Sequence, residues 1–505
     1  MPGRKQTNLS NLKNELLEAS SYSHSIDKIE LIETHISLVY LTGKYVYKVK
    51  KPLKFDFLDF STIEKRKAAC QKELALNRRY APSMYLETVA ICRNGDSFLV
   101  GGKGDAVEYA VKMRQFDNSK LLSNIDLSAE LIEELVEVIV DFHNKADLTP
   151  ASWGFEKITE FVHDNFDALD SYSPSIVPEK LLSSVKMRTG KCLSDSQELI
   201  KERQSEFVKH LHGDLHLKNI CIFENKITMF DGIEFNDEYA CSDVWADFAF
   251  LLMDLKYRDY RKLAVHARNQ YLERTDDFGG LALLALYIAY RACVRAKVNC
   301  LSIDKSLPEE NLVSSAVKHL EIAEGELKAT KPMVFAIGGI PGSGKTTIGK
   351  ALSQELDLVH VRSDVVRKHL LKIGLLEKAS KETYTEEFSK TVYLETLSRA
   401  QLALEAGYSV LIDATFCEDS QRKIVEDFAD KHGLDFTGLW CDVSVEIAQE
   451  RISRRTNDAS DANIEVLKAF LKKDYGSIDW NKIDATQEVD SSVKSFVEKF
   501  KQSIS

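Results

Sequence analysis

The sequence has no C-x-x-C pair. Its nine cysteines are scattered singly along 505 residues. That argues against a zinc ribbon or a disulfide framework and for reduced thiols. Long apolar runs are missing too. The longest uncharged one, Phe278 to Tyr290, ends at Arg291. It is shorter than the ~20 residues of a membrane span, so it is expected to be a buried helix and no membrane partner is expected. There is no basic excess: the net charge is −11, which makes nucleic acid an unlikely general partner. The opening Met1-Pro-Gly-Arg-Lys-Gln lacks the apolar stretch of a secretory signal, and a cytoplasmic location is expected. No internal repeat or low-complexity tract is present. The length suggests roughly two to four domains of about 150 residues each.

What is present divides into two textures. Residues 10–20 read as a short amphipathic helix. Ile36–Leu41 and Tyr45–Lys50 are β-rich runs around the turn signal Thr42-Gly43-Lys44, which predicts a hairpin. Its second strand carries Lys48, within a Lys48, Lys50, Lys51, Lys54 run that could steer an anionic nucleotide. Ser61 to Tyr80 reads as a helix capped by Ser61, with Glu64 at the capping-box position and Glu73 further along. More strands follow to about residue 113. Helices are expected over 129–145, 155–169 and, as one long element, 179–204. A hairpin over 220–223 and 227–230 precedes further helices to about 324. The polar stretch from Gly325 to Pro332 places a linker at 326–332. Beyond it, strands at 333–337, 358–361, 410–412 and 436–440 alternate with helices, as in a parallel α/β sheet.

Chemistry concentrates at two places. His212-Gly213-Asp214-x-His216-x-x-Asn219, with Asp231 beyond an apolar run, has the spacing of a phosphotransferase loop. There Asp214 would accept a hydroxyl proton, and Asn219 and Asp231 would hold Mg2+. A strand lysine and a helical glutamate, Lys48 and Glu73, are the pair that secures ATP phosphates in kinases. No G-x-G-x-x-G precedes Lys48 and no A-P-E follows, so an ordinary protein kinase is excluded. His216 either touches substrate or, as preferred, orients the loop. Asp243 and Asp247 either bind a cationic acceptor or, as preferred, pair with Arg291 or Arg295.

The second place is Gly339-Ile-Pro-Gly342-Ser343-Gly344-Lys345-Thr346, followed by Thr347. It fits G-x-x-x-x-G-K-[ST] between a strand and a helix. Its backbone N–H groups would cradle the phosphates of ATP, Lys345 would reach them, and Thr346 would ligate Mg2+. Asp413 ends an apolar strand, either as a carboxylate near Mg2+ or as a loop cap. Asp364 could be a catalytic base and Arg367 could hold an anionic substrate group; a plain helix cap and a surface arginine are the equal alternative. Arg451, Arg454 and Arg455 either close over the triphosphate or form a solvated face.

The first segment resembles the aminoglycoside phosphotransferase family over about 25–325. The shared stretches are Thr34–Ser37, Val46-Tyr47-Lys48, Glu73, His212–Asn219, and Asp231 with Ile233–Asn236. The second resembles P-loop small-molecule kinases of the zeta-toxin-like and gluconate-kinase-like group. That likeness lies in Gly339–Thr346, Arg362-Ser363-Asp364 with Arg367, Asp413-Ala414-Thr415, and a lid from Arg454 and Arg455 to Asp461. The chain as a whole resembles bacterial proteins that join two such modules.

The resemblance implies a kinase-like module over 1–325, with an antiparallel sheet at about 25–115 and helices at about 116–325. The linker and a P-loop α/β domain over 333–505 complete the chain. It also implies Asp214 as base, Asn219 and Asp231 as metal ligands, Lys48 on the nucleotide, and Asp364 as base or substrate contact. The expected activity is transfer of the ATP γ-phosphate to hydroxyls of small molecules at both modules. Two alternatives stay open: one module regulates the other, or the P-loop module is a nucleic-acid end kinase.

Overall fold

The structure is a computed structural model and describes residues 9–55, 58–95, 97–303, 309–380, 385–454, 458–472 and 475–504. Helix α1 (Leu9–Glu15) precedes strands β1 (Glu30–Glu33), β2 (Ser37–Leu41) and β3 (Tyr45–Lys50). The short β4 (Lys54–Phe55) and β5 (Leu58–Asp59) lead into α2 (Ile63–Asn77). Strands β6 (Tyr85–Asn94), β7 (Ser97–Val100) and β8 (Ala106–Arg114) follow. Next come helices α3 (Ala129–Lys145), α4 (Phe155–Asp170), α5 (Glu179–Asp195) and α6 (Gln197–Phe207). Then β9 (Val208–His210), β10 (Ile220–Phe223), β11 (Lys226–Met229), one-turn helix α7 (Asp237–Ala240) and β12 (Cys241–Asp243) frame the Asp214 loop. Helices α8 (Val244–Tyr257), α9 (Arg261–Thr275), α10 (Leu281–Ser302) and α11 (Glu309–Glu326) follow.

The last part runs β13 (Val334–Gly338), α12 (Lys345–Leu356), β14 (Val359–Arg362), α13 (Ser363–Leu371), α14 (Glu386–Glu405) and β15 (Val410–Asp413). It ends with α15 (Asp419–Lys431), β16 (Phe436–Asp442), α16 (Val445–Arg454), α17 (Ile464–Phe470), β17 (Asn481–Asp484) and α18 (Val489–Ile504).

Packing groups the chain into two compact units. The first contains residues up to Leu127, Asp141–Ile158 and Leu199–Leu251; the second contains Ser128–Val140, Thr159–Glu198 and Leu252–Ser505. In the first, an antiparallel sheet has the order β1-β2-β3-β8-β6-β7. The β2–β3 hairpin forms where the turn signal predicts it, with Gly43 at φ +84° and Val39 opposite Lys48. Side chains alternate faces along a strand. Tyr47 and Val49 therefore enter a core with Leu38, Tyr40 and Ile91. Val46 joins Cys70 and Val111 on the other face, so Lys48 and Lys50 share the face that α2 covers.

Two local expectations change, and the turn of the second hairpin does not. Thr62 rather than Ser61 caps α2, accepting from the Lys65 N–H at 3.3 Å, while Ser61 bonds Asp59. The long helix over 179–204 is broken at Ser196, where Ser194, Asp195 and Ser196 compete with the helical backbone for hydrogen bonds. The 220–229 hairpin turns on Glu224 and Asn225, both at positive φ.

In the second unit, a wholly parallel sheet has the order β14-β15-β13-β16-β17. Strand β17 is not legible in the sequence, because only Ile483 of its four residues is buried. Phe335, Ile337, Ile348, Leu352, Leu439 and Val497 form the core beneath α12 and α18. Each such fully buried side chain contributes about 1.5–3 kcal/mol. Strand β14 is the sheet edge, and α9 packs along it. This accounts for the composition of α9, which buries His266, Arg268, Asn269, Gln270 and Glu273. Among the described residues, no helix is long and apolar enough to cross a membrane.

Candidate functional site

The first site is a buried ionic cluster beside the Asp214 loop. Lys48 Nζ lies 2.9 Å from Glu73 Oε1 and also bonds Asp231. Lys50, two residues on and on the same face, lies 2.5 Å from Glu73 Oε2 and also bonds Glu234. Two ammoniums thus face three carboxylates. Burial alone would lower the Lys48 pKa, but Asp231, Glu73 and Glu234 outweigh it and hold it well above the ordinary value. Burial pushes Glu73 up, yet Lys48 and Lys50 together hold it at about 2. Glu234 is raised by burial, and Lys50 bonds it directly. Lys50 is therefore no part of a solvent-facing steering run; it is fully buried.

The loop is held by its own backbone and by α8. Gly213 sits at φ +79°, and a Cβ there would lie 2.9 Å from Tyr239 O, so only glycine fits. The Gly213 N–H donates to Asp247 Oδ1 at 2.8 Å, and His143 Nε2 lies 3.2 Å from Asp247 Oδ2. Arg203 forks onto Asp243 at 2.7 and 3.1 Å. These partners of Asp243 and Asp247 were not foreseen, because Arg203 and His143 are remote in sequence.

Asn219 Nδ2 donates to Asp214 Oδ2 at 2.9 Å and to Asp214 O at 3.0 Å. That leaves the Asn219 carbonyl oxygen as its donor atom for a cation. His216 Nε2 lies 3.3 Å from Asp214 Oδ2, and its ring packs edge-on to Phe250. His212 is pushed below the ordinary histidine value by burial. Its Nε2–H donates to Phe230 O at 3.0 Å, while its Nδ1 accepts from the Asp214 N–H at 3.3 Å. Both bonds suit one neutral tautomer. Asp231 adopts φ +61°, and its N–H donates to Tyr85 Oη at 3.1 Å. The next residue must be glycine: a Cβ on Gly232 would meet Tyr80 Oη at 2.0 Å.

The second site is the loop between β13 and α12. Gly342 and Gly344 sit at φ +84° and +88°, and a Cβ on Gly342 would lie 2.4 Å from Ala448 O. Lys345 begins α12 and is buried. Thr346 Oγ1 donates to Asp413 Oδ2 at 2.8 Å. Burial would raise Asp413, but the His360 hydrogen bond and the cations Lys345 and Arg362 hold it below the usual carboxylate value. A pocket of about 400 Å³ opens here, lined by Gly344, Lys345, Thr346, Thr347, Arg451 and Arg454. Ser343 is fully buried behind the loop.

The arginines divide. Arg451 donates to Ser343 O at 3.1 Å and Ala485 O at 2.7 Å, bracing the loop. Arg454 pairs with Glu450 at 2.8 Å on its own helix and is 79% exposed. Arg455 lies outside the described residues. Asp364 is half-buried in the first turn of α13. Arg367 is buried, 3.4 Å from Ser389 Oγ and over the Phe388 ring, so the surface alternative for it is removed. Arg362 joins Glu273 of α9 at 3.3 Å and Asp458 at 2.8 Å. Burial would lower its pKa, but Glu273 and Asp458 hold it above the ordinary value. Lys368 joins Asp461 at 2.6 Å. His360 and Glu273 were missed because no local motif contains them, and Asp458, although inside the lid stretch, finds its partner Arg362 far away in sequence. Among the described residues, no group of three or more His, Cys, Asp or Glu could hold a metal by itself. The oxygen pairs Asn219/Asp231 and Thr346/Asp413 suit Mg2+, which takes few protein oxygens beside substrate phosphates.

Residues 334–473 match the AAA domain family model. The loop from Gly339 to Thr346 thus lies within the matched segment. It is 29% identical over 467 residues to an uncharacterized protein of Mycobacterium tuberculosis, covering 90% of this chain and 91% of that one. It is 26% identical over 151 residues to the cytidylate kinase of Methanocaldococcus jannaschii, covering 29% of this chain and 79% of that one. Among solved structures, an amicoumacin kinase in complex with AMP-PNP and Ca2+ aligns at 12% identity and a TM-score of 0.41. That alignment covers 63% of this chain and 94% of that one.

Proposed function

We propose that this chain is an ATP- and Mg2+-dependent phosphotransferase with two nucleotide sites, each serving a hydroxyl of a small molecule. The observation that carries the reading is the Thr346 hydroxyl 2.8 Å from Asp413 at the foot of a left-handed glycine loop. At that site the loop N–H groups and Lys345 bind the phosphates, and Asp364 accepts the acceptor proton. Arg367 holds an anionic substrate group, and Arg454 and Arg455 close over the triphosphate. In the kinase-like module Lys48, set by Glu73, holds ATP phosphates. Asp214 accepts the hydroxyl proton as the new O–P bond forms and ADP leaves. Asn219 and Asp231 would hold the metal there, and Thr346 and Asp413 in the P-loop domain. Bound Mg2+ neutralises charge on the transferring phosphoryl group. His216 orients Asp214, in keeping with its contact. Domains over 1–325 and 333–505 and a cytoplasmic setting fit this reading.

A second reading, in which one module senses nucleotide for the other, draws support from α9. This helix of the kinase-like segment supplies Glu273 to Arg362 of β14. A screen of hydroxyl metabolites with γ-labelled ATP on the full chain tests both. Asp214→Asn and Lys345→Ala should each abolish a different activity. If one residue's loss modulates the other's product without removing a product of its own, sensing is the answer. If neither changes ATP turnover, the phosphotransferase reading fails.

A further inference from the structure

Asp413 Oδ2 receives two hydrogen bonds. One comes from the Thr346 hydroxyl; the other comes from His360 Nε2 at 3.2 Å. His360 lies on β14, belongs to no phosphate motif, and is buried. The fold makes room for it. A Cβ on Gly349 of α12 would lie 3.0 Å from His360 Nε2, so a small residue there lets the imidazole reach the carboxylate. With Oδ2 committed to two donors, Oδ1 is the Asp413 oxygen left to serve a cation.

The strand that carries His360 is itself held from outside the P-loop domain. Among the described residues strand β14 pairs only with β15, so its outer backbone groups have no strand partner there. Asn269 of α9 fills that role. Its Oδ1 accepts from the His360 N–H at 3.3 Å, and its Nδ2 donates to Leu358 O at 2.9 Å. Asn269 is buried, and its side-chain amide spans both groups as a neighbouring strand would. A run of contacts thus leads from α9 through β14 to Asp413.

We propose that His360 is a positioning residue for the magnesium carboxylate Asp413, and that Asn269 of α9 fixes the strand from which His360 acts. The proposal rests on the P-loop nucleotide reading above. It extends that reading by making the metal site depend on a helix of the kinase-like segment.

The test is a Mg2+ titration of the full chain with mant-ATP. The fluorescence component that Lys345→Ala removes reports the P-loop site. In that component His360→Ala is expected to raise the Mg2+ half-saturation about 10–100-fold, the usual effect of removing a group that orients a metal ligand. His360→Gln, whose amide reaches as far as Nε2, should restore it. Asn269→Ala should shift it in the same direction by less. A His360→Ala protein that melts like wild type and keeps the wild-type half-saturation overturns the proposal and leaves the nucleotide reading standing. If His360→Ala does not fold, the comparison moves to His360→Gln and His360→Met, and equal half-saturations for those two overturn it. If Lys345→Ala removes no component, the nucleotide reading fails and the proposal with it.

Discussion

Glu273→Gln should destabilise the second compact unit more than any surface change. Arg362 is buried and shares its charge between Glu273 at 3.3 Å and Asp458 at 2.8 Å. The substitution keeps the volume and removes one carboxylate, leaving a desolvated guanidinium half-compensated. Breaking a buried ion pair on one side costs about 3–5 kcal/mol, whereas replacing both members by apolar groups of similar size is often neutral or better. For a domain of this scale 1 kcal/mol moves the melting point by about 2–4 °C. The single variant should therefore melt about 6–20 °C lower, and Arg362→Met combined with Glu273→Gln should recover a large part of that loss. Differential scanning fluorimetry of the full chain, with both singles and the double, reads the result. A Glu273→Gln protein melting within 2 °C of wild type, or a double variant worse than either single, would show that Glu273 does not compensate the buried Arg362 charge.

Acid should loosen the Lys48 cluster. Glu73 is held at about 2, below the ordinary carboxylate range, so its contribution is present above the unfolded value and is lost as pH falls toward 2. Glu73→Gln should flatten melting temperature against pH across that window. Gly342→Ala should abolish mant-ATP binding at the P-loop, because φ +84° and the Ala448 oxygen 2.4 Å from the new Cβ oppose it together. Residues 331–505 expressed alone should aggregate on size-exclusion chromatography, since the β14 edge, Arg362 and Arg399 lose Asn269, Glu273 and Asp276. Adding residues 252–330 should restore a discrete peak.

Much of this was legible because it is local. The hairpin that carries Lys48 and the loop from Gly339 to Thr346 follow from alternation, turn chemistry and glycine spacing, which act within a few residues. The pairs Lys48–Glu73 and Thr346–Asp413 were anticipated because each member lies at a recognisable place on its own strand or helix. Lys50 could have been found the same way, since period two puts it on the face of Lys48. Nothing local distinguishes the buried Arg203, Arg362 and Arg367 from surface arginines. Burial of a charge depends on which carboxylate or neighbouring element arrives from elsewhere in the chain.

Local pattern in the sequence is enough for the loops 212–219 and 339–346 and for the change from an antiparallel sheet to alternating strands and helices. The burial of α9, with its charged and polar residues, against the edge strand of the P-loop sheet comes from the tertiary structure. A helix so rich in charge gains by burial only where each group meets its partner. Those partners, Asp357, Leu358 O, the His360 N–H and Arg362, lie some ninety residues further along the chain.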